Sequence, residues 1–156
     1  MLFGSASTDD KTQWKTAELE DCSVCRVGVK QLTVDLIECF NDREYDNLTI
    51  RHMSAEMKSD QQYLVATCAT EFIEKHKRIC ATYPNYHVRV TDVTGDVDEV
   101  EGEARIWVTI DITGYAKDVK REGISQLYWR IRDGHWSCYR NKGLVLGGDG
   151  DESWLG

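Results

Sequence analysis

The chain predicts an α+β fold in which two helices precede and cover an antiparallel sheet. Three observations carry that prediction. Glu103–Gly114, Gly123–Arg132 and His135–Leu146 alternate apolar and polar residues at the strand period of two. Asp133-Gly134 separates the last two runs, and that dipeptide favours the type I′ turn that matches strand twist. Upstream, apolar residues recur instead at steps of three and four, the period of an amphipathic helix. A sheet with one apolar face must be covered on that face, and the upstream helices supply the cover.

In chain order, residues 1–12 are small and polar and are expected to form a tail ahead of a single domain at 13–146. Trp14–Glu20 either begins a helix or lies across the domain. From Asp21 to Asn41, Cys22, Cys25, Val29, Leu32, Leu36 and Phe40 form a helical stripe. A short helix is expected near Leu48–Met53, then an extended segment after Ser54. Ser59 and Gln62 have the spacing of a capping box, which predicts a second helix from about Asp60 to Ala81. Its apolar face would hold Val65, Cys68, Ala69, Phe72, His76, Ile79 and Cys80. Tyr83-Pro84-Asn85 stops it. Tyr86–Val93 reads as a strand, Thr94–Asp98 as a turn, and Ala116–Arg121 as a charged hairpin loop. In the run after Gly102, Ala104, Ile106, Val108, Ile110 and Ile112 share one face; Arg105, Trp107, Thr109, Asp111 and Thr113 share the other. Residues 147–156 are glycine-rich and acidic, and a second tail is expected there.

The totals exclude some functions. A chain of 156 residues with 41% apolar and 29% charged residues suits one soluble domain with its own core. Its net charge of −8 argues against a nucleic-acid groove, which needs a basic stripe. No apolar run approaches the ~18 residues of a membrane span, and Met1-Leu2-Phe3 is too short for a signal-peptide core. The expectation is a cytoplasmic protein without membrane or nucleic-acid partners. In a reducing compartment the six cysteines are expected as thiols. Cys22-x-x-Cys25 is half of a zinc-ligand pattern, but no second pair stands at ligand spacing. The cysteines read better as small core hydrophobes.

The order of elements resembles the cone-shaped fold of the nuclear transport factor two-like superfamily, the cystatin-like roll. Within it the chain looks most like the SnoaL-like group, relatives of the polyketide cyclases. Three stretches carry the resemblance: Ile37-Glu38-Cys39-Phe40-Asn41-Asp42-Arg43-Glu44-Tyr45-Asp46, Glu101-Gly102-Glu103-Ala104-Arg105-Ile106-Trp107-Val108, and Arg132-Asp133-Gly134-His135-Trp136-Ser137-Cys138-Tyr139 with Lys142-Gly143 beyond. It spans roughly Leu19 to Gly148. The resemblance implies a curved, largely antiparallel or mixed sheet wrapped around the helices, with a pocket at the open end of the cone. It also implies one of two functions. One is cofactor-independent acid/base chemistry (a cyclase, dehydratase or isomerase) on a small apolar molecule. The other is non-catalytic ligand binding or homodimerisation.

Acid/base catalysis in an apolar pocket needs a group whose pKa burial brings near working pH. His76 falls near the middle of the second helix's apolar face, as a pocket base or as a core histidine satisfied by a backbone carbonyl. His52 lies near the expected mouth, as a base or a rim residue. Tyr45, Tyr63 and Tyr128 are candidate oxyanion donors or packed aromatics. Arg140 and Asn141 lie on the last strand, where an arginine could meet a carboxylate or polarise a carbonyl. Trp129, on the face of Leu127 and Ile131, is either pocket wall or core, and Phe72 belongs with the pocket candidates. Trp107, on the outer face with Asp111, is the candidate for a homodimer contact. No residue pattern points to a metal, a nucleotide loop or a Ser/His/Asp set, so no cofactor is expected. No catalytic motif of the family carries over residue by residue.

Overall fold

A computed structural model describes residues 22–116 and 119–146. Both expected tails, the Trp14–Glu20 segment and the side chains of Cys22 and Cys25 lie outside the described residues.

Helix α1 (Cys22–Asn41) is followed by a 3₁₀ turn (Leu48–His52), β1 (Met53–Gln61), β2 (Leu64–Ala66), α2 (Ala69–Thr82), β3 (His87–Asp98), β4 (Glu103–Thr113), β5 (Arg121–Arg132) and β6 (His135–Leu146). The strands form one open mixed sheet in the order β2-β1-β6-β5-β4-β3. β1 runs parallel to β6, and every other pair is antiparallel. α1 packs on β3 and β4, and α2 packs on β1 and β2. The helices therefore share one face of the sheet, the inner face.

The alternation in β4 works as expected. Ala104, Ile106, Val108, Ile110 and Ile112 are all buried, three of them at 1% exposure or less. Each large apolar side chain so buried contributes roughly 1.5–3 kcal/mol. Val29, Leu36 and Phe40 of the α1 stripe meet them from the other side, with Thr33 buried among them and its hydroxyl donating to the Val29 carbonyl. At the β5–β6 hairpin, Asp133 and Gly134 have φ of 53° and 81°, and Arg132 pairs with His135 across the turn. Those positive values are what a type I′ turn requires.

Two expectations fail. The second helix does not begin at Asp60. β1 continues to Gln61, turns through Gln62-Tyr63 and returns as β2, with Gln61 opposite Leu64. Ser59 caps no helix; its hydroxyl donates to the Leu64 carbonyl at 2.7 Å and ties the hairpin. Ser59–Gln61 also pair with Asn141–Gly143 of β6, so ladder bonds on both sides outweigh the local capping pattern. The helix starts instead after Thr67, whose N–H and hydroxyl both donate to Glu71. Those bonds hold the Glu71 carboxyl below the usual carboxylate range. Val65, expected on the helix, is an exposed residue of β2.

The second failure is the turn at Thr94–Asp98. β3 runs through it, and the chain reverses at Glu99–Gly102. Gly95, inside the span expected to turn, is a strand glycine of close approach. A Cβ there would lie 2.8 Å from Ile106 Cδ1 and 3.1 Å from Lys30 Cε.

The end of α1 is built by its own side chains. Asn41 donates to the Val88 carbonyl and accepts from the Val88 N–H, at 2.7 and 2.9 Å, as a neighbouring strand would. Arg43 takes a left-handed φ of 59°, where glycine is usual. Its guanidinium donates to the carbonyls of Asn41, Pro84 and Tyr86 at 2.8–3.1 Å, fastening the helix end to the start of β3.

Candidate functional site

Between the helices and the sheet lies a cavity of about 70 Å³, inside a cleft of about 670 Å³ that runs out through an open mouth. Leu36, Phe40 and Asn41 of α1 and Phe72 and His76 of α2 wall one side. Met53 and Met57 of β1, Ile110 of β4, Ser125 and Leu127 of β5 and Cys138 and Asn141 of β6 wall the other, and Tyr63 and Tyr86 also line the cavity. Among the described residues, no Asp, Glu, Lys or Arg lines it.

His76 is the titratable centre of this wall. It is 5% exposed, and Phe40 and Tyr86 meet its ring edge-on at centroid distances of 4.9 and 5.7 Å. The Tyr45 hydroxyl lies 2.9 Å from its Nδ1, and the Cys80 sulfur one helical turn on lies 3.6 Å from the same atom. Burial, helped by the nearby Arg43 cation, lowers its pKa from 6.5 to about 4. The imidazole is therefore neutral at pH 7. A neutral ring has two tautomers here. Tyr45 donates to Nδ1 and leaves the proton on Nε2, or Nδ1–H donates to Tyr45 and leaves Nε2 an acceptor. Burial pushes Tyr45 up to about 12, with Cys80 adding to it, so the phenol keeps its proton at pH 7. The Tyr86 hydroxyl donates in turn to that of Tyr63 at 2.6 Å, and burial pushes Tyr63 up to about 12 as well.

Of the residues named from the sequence, His76, Tyr63, Phe72 and Asn141 come together on this cavity. The other candidates, Tyr45 among them, do not line it. Trp129 is fully buried core outside the cavity lining, and its Nε1 has no hydrogen-bond partner among the described residues. Arg140 points from the outer face, where it pairs with Asp60 at 3.0 Å. The ladder irregularity beside it at Tyr128/Trp129 leaves only its neighbour Asn141 facing inward. His52 is half-buried, and its Nδ1–H donates to the Trp136 carbonyl at 2.9 Å. Trp107 is on the outer face, with the Arg105 guanidinium 5.7 Å from its ring. Tyr128 is there too, donating to Gln126. Asp111, also on the outer face, is 6% exposed and accepts from Arg89 at 2.7 Å. Sequence reasoning missed Tyr86, Ser125 and Asn41 as lining residues. The only signal for Asn41 was its place in the stretch that carries the family resemblance.

No protein-family model and no curated protein sequence matches the chain. Solved structures do share its fold. An NTF2-like protein with a cystatin-like fold from Novosphingobium aromaticivorans superposes with a TM-score of 0.64 at 13% identity, over 93% of this chain and 94% of that one. An uncharacterised cystatin-like protein from Caulobacter vibrioides gives 0.66 at 12% identity, over 78% and 89%. A hexachlorocyclohexane dehydrochlorinase, LinA-type3 from Novosphingobium barchaimii, gives 0.66 at 9% identity, over 81% and 92%. The chain thus has the NTF2-like, cystatin-like fold, one that carries an enzyme among structures mostly of unknown function. Among the described residues, no helix is long and apolar enough to cross a membrane.

Proposed function

We propose that this chain is a cofactor-independent acid/base catalyst of the SnoaL-like kind, acting on a small, mostly apolar molecule held in the cavity. The observation that carries the reading is His76: buried, bordering the cavity, and hydrogen-bonded to a tyrosine hydroxyl. A neutral imidazole can donate or accept a hydrogen bond at pH 7 without first losing a proton. With its pKa near 4 it is a weak base. It suits polarising a carbonyl or hydroxyl, or relaying a proton to Tyr45, better than holding a full charge. The apolar walls strengthen any such interaction by keeping water out. The dehydrochlorinase of the same fold lends the reading support by kind of chemistry alone.

A second reading is favoured by one specific observation. The partner of His76 is a phenol, and among the described residues no carboxylate lines the cavity. The histidine would then be a satisfied pocket wall and the protein a ligand-binding module. In either case a homodimer through the outer face at Trp107 belongs to the proposal.

The test is a panel of small neutral ketones and secondary alcohols in D₂O, followed by proton NMR. Saturable proton exchange, isomerisation or water loss that falls by about 10² or more in His76→Gln supports the catalyst. Saturable binding with none of these reactions supports the module.

A further inference from the structure

One group on the sheet wall is unexplained by the proton chemistry. Asn141 of β6 borders the cavity and is 7% exposed. Its Oδ1 has no hydrogen-bond partner among the described residues. A buried acceptor left unpaired is costly enough that a fold rarely keeps one without a use. A leucine would fill the same place at no such cost. Beside it on the same inner face is Ser125 of β5, 5% exposed and also bordering the cavity. Ser125 faces Gly143 across the ladder, two residues beyond Asn141. A Cβ at Gly143 would come within 3.0 Å of the Ser125 hydroxyl oxygen, so the glycine keeps that hydroxyl clear. An amide and a hydroxyl thus form a polar corner in an otherwise apolar wall.

We infer that Asn141, with Ser125, is the specificity-determining site of the cavity, and that it takes the hydroxyl group of an uncharged apolar ligand, an alcohol or a phenol. The inference deepens the proposed function and rests on the same cavity being a ligand site, but it does not need His76 to be catalytic. A half-turn of the amide about χ2 exchanges its acceptor for its donors. A hydroxyl, which both donates and accepts, satisfies either orientation. An ester or ketone satisfies only one, and a hydrocarbon satisfies neither. The absence of Asp, Glu, Lys and Arg from the described lining selects the charge. A carboxylate or ammonium brought into this wall would leave water without a counter-charge to meet it.

The probes are phenol, toluene and benzoate, titrated into ¹⁵N-labelled full-length protein and followed by amide chemical shifts. None of the three is a substrate for elimination or isomerisation, so the readout is binding alone. The wild type is expected to bind phenol about tenfold more tightly than toluene, the value of one hydrogen bond to a buried group. Benzoate is expected to bind more weakly than either. Asn141→Leu should abolish the preference for phenol while its Tm stays level or rises, and Ser125→Ala should reduce the preference by a smaller factor. Toluene binding as tightly as phenol overturns the inference. So do tight binding of benzoate, a phenol preference that survives in Asn141→Leu, and failure of phenol to bind at millimolar concentration. His76→Gln separates the two proposals. A phenol preference intact in that variant, with no turnover in the wild type, sinks the catalyst and leaves the hydroxyl site standing.

Discussion

Arg140 and Asn141 are adjacent on β6 and live on opposite faces of the sheet. Arg140 faces outward, where its guanidinium is paired with Asp60 and lies 5.9 Å from the Tyr128 ring. Asn141 faces inward, where its oxygen has no partner. The contrast extends across the whole sheet. On the outer face, charge meets charge or an aromatic ring: Arg89 with Asp111, Arg132 with Glu56, Arg105 over Trp107 and Tyr128, Arg130 over Tyr139. On the inner face most side chains are apolar, and Ser125 and Asn141 are buried polar residues that border the cavity. Partnered polar groups in water hold a surface together weakly. Unpartnered or neutralised polar groups in an apolar wall cost stability, and Asn141 is the one on which the proposed hydroxyl site rests.

The largest expected effect tests that contrast with two tryptophans. Trp129 is fully buried on the inner face, and Trp107 is partly exposed on the outer one. Trp129→Ala should lose about 3–5 kcal/mol in urea unfolding, and Trp107→Ala less than about 1 kcal/mol. Equal losses would break the comparison. A Trp107→Ala loss that changes with protein concentration would instead place that residue in a contact between copies.

Next in size is the response to acid. His76 has a folded-state pKa of about 4 against 6.5 when free, so between those values the unfolded chain binds the extra proton. Stability is therefore full above about pH 6.5 and falls as pH drops toward 4, by up to about 3 kcal/mol for this one group. His76→Phe should flatten that part of the Tm-against-pH curve. A wild-type curve already flat from pH 7 to 4.5 would show that the imidazole is not held neutral.

The smallest effect is on the outer face. Arg140→Ala removes an ion pair whose two side chains are each nearly half exposed. It should change stability by no more than about 0.5 kcal/mol, and less at high salt. A larger loss, unchanged by salt, would show that the guanidinium packs on Tyr128 rather than pairing with Asp60.

The sequence by itself determined which way most of the sheet faces. Strand alternation places Ile106 and Trp107 on opposite sides whatever surrounds them, because successive residues of a strand point apart. It determined the α1 stripe and the Asp133-Gly134 turn for the same kind of reason: both are local periodicities or local backbone preferences. The tertiary structure alone decided what local pattern leaves open. Ser59 and Gln62 look like a helix cap until β6 and β2 offer ladder bonds on both sides of that segment. Thr94–Asp98 looks like a turn until β4 is seen pairing along it. His76 could be placed on an inward face from its spacing, but its partner Tyr45 is 31 residues away, and no periodicity reports a contact at that range. Whether an inward polar side chain is satisfied depends on every neighbour at once. That is why the unpaired oxygen of Asn141 belongs to the fold and not to the pattern.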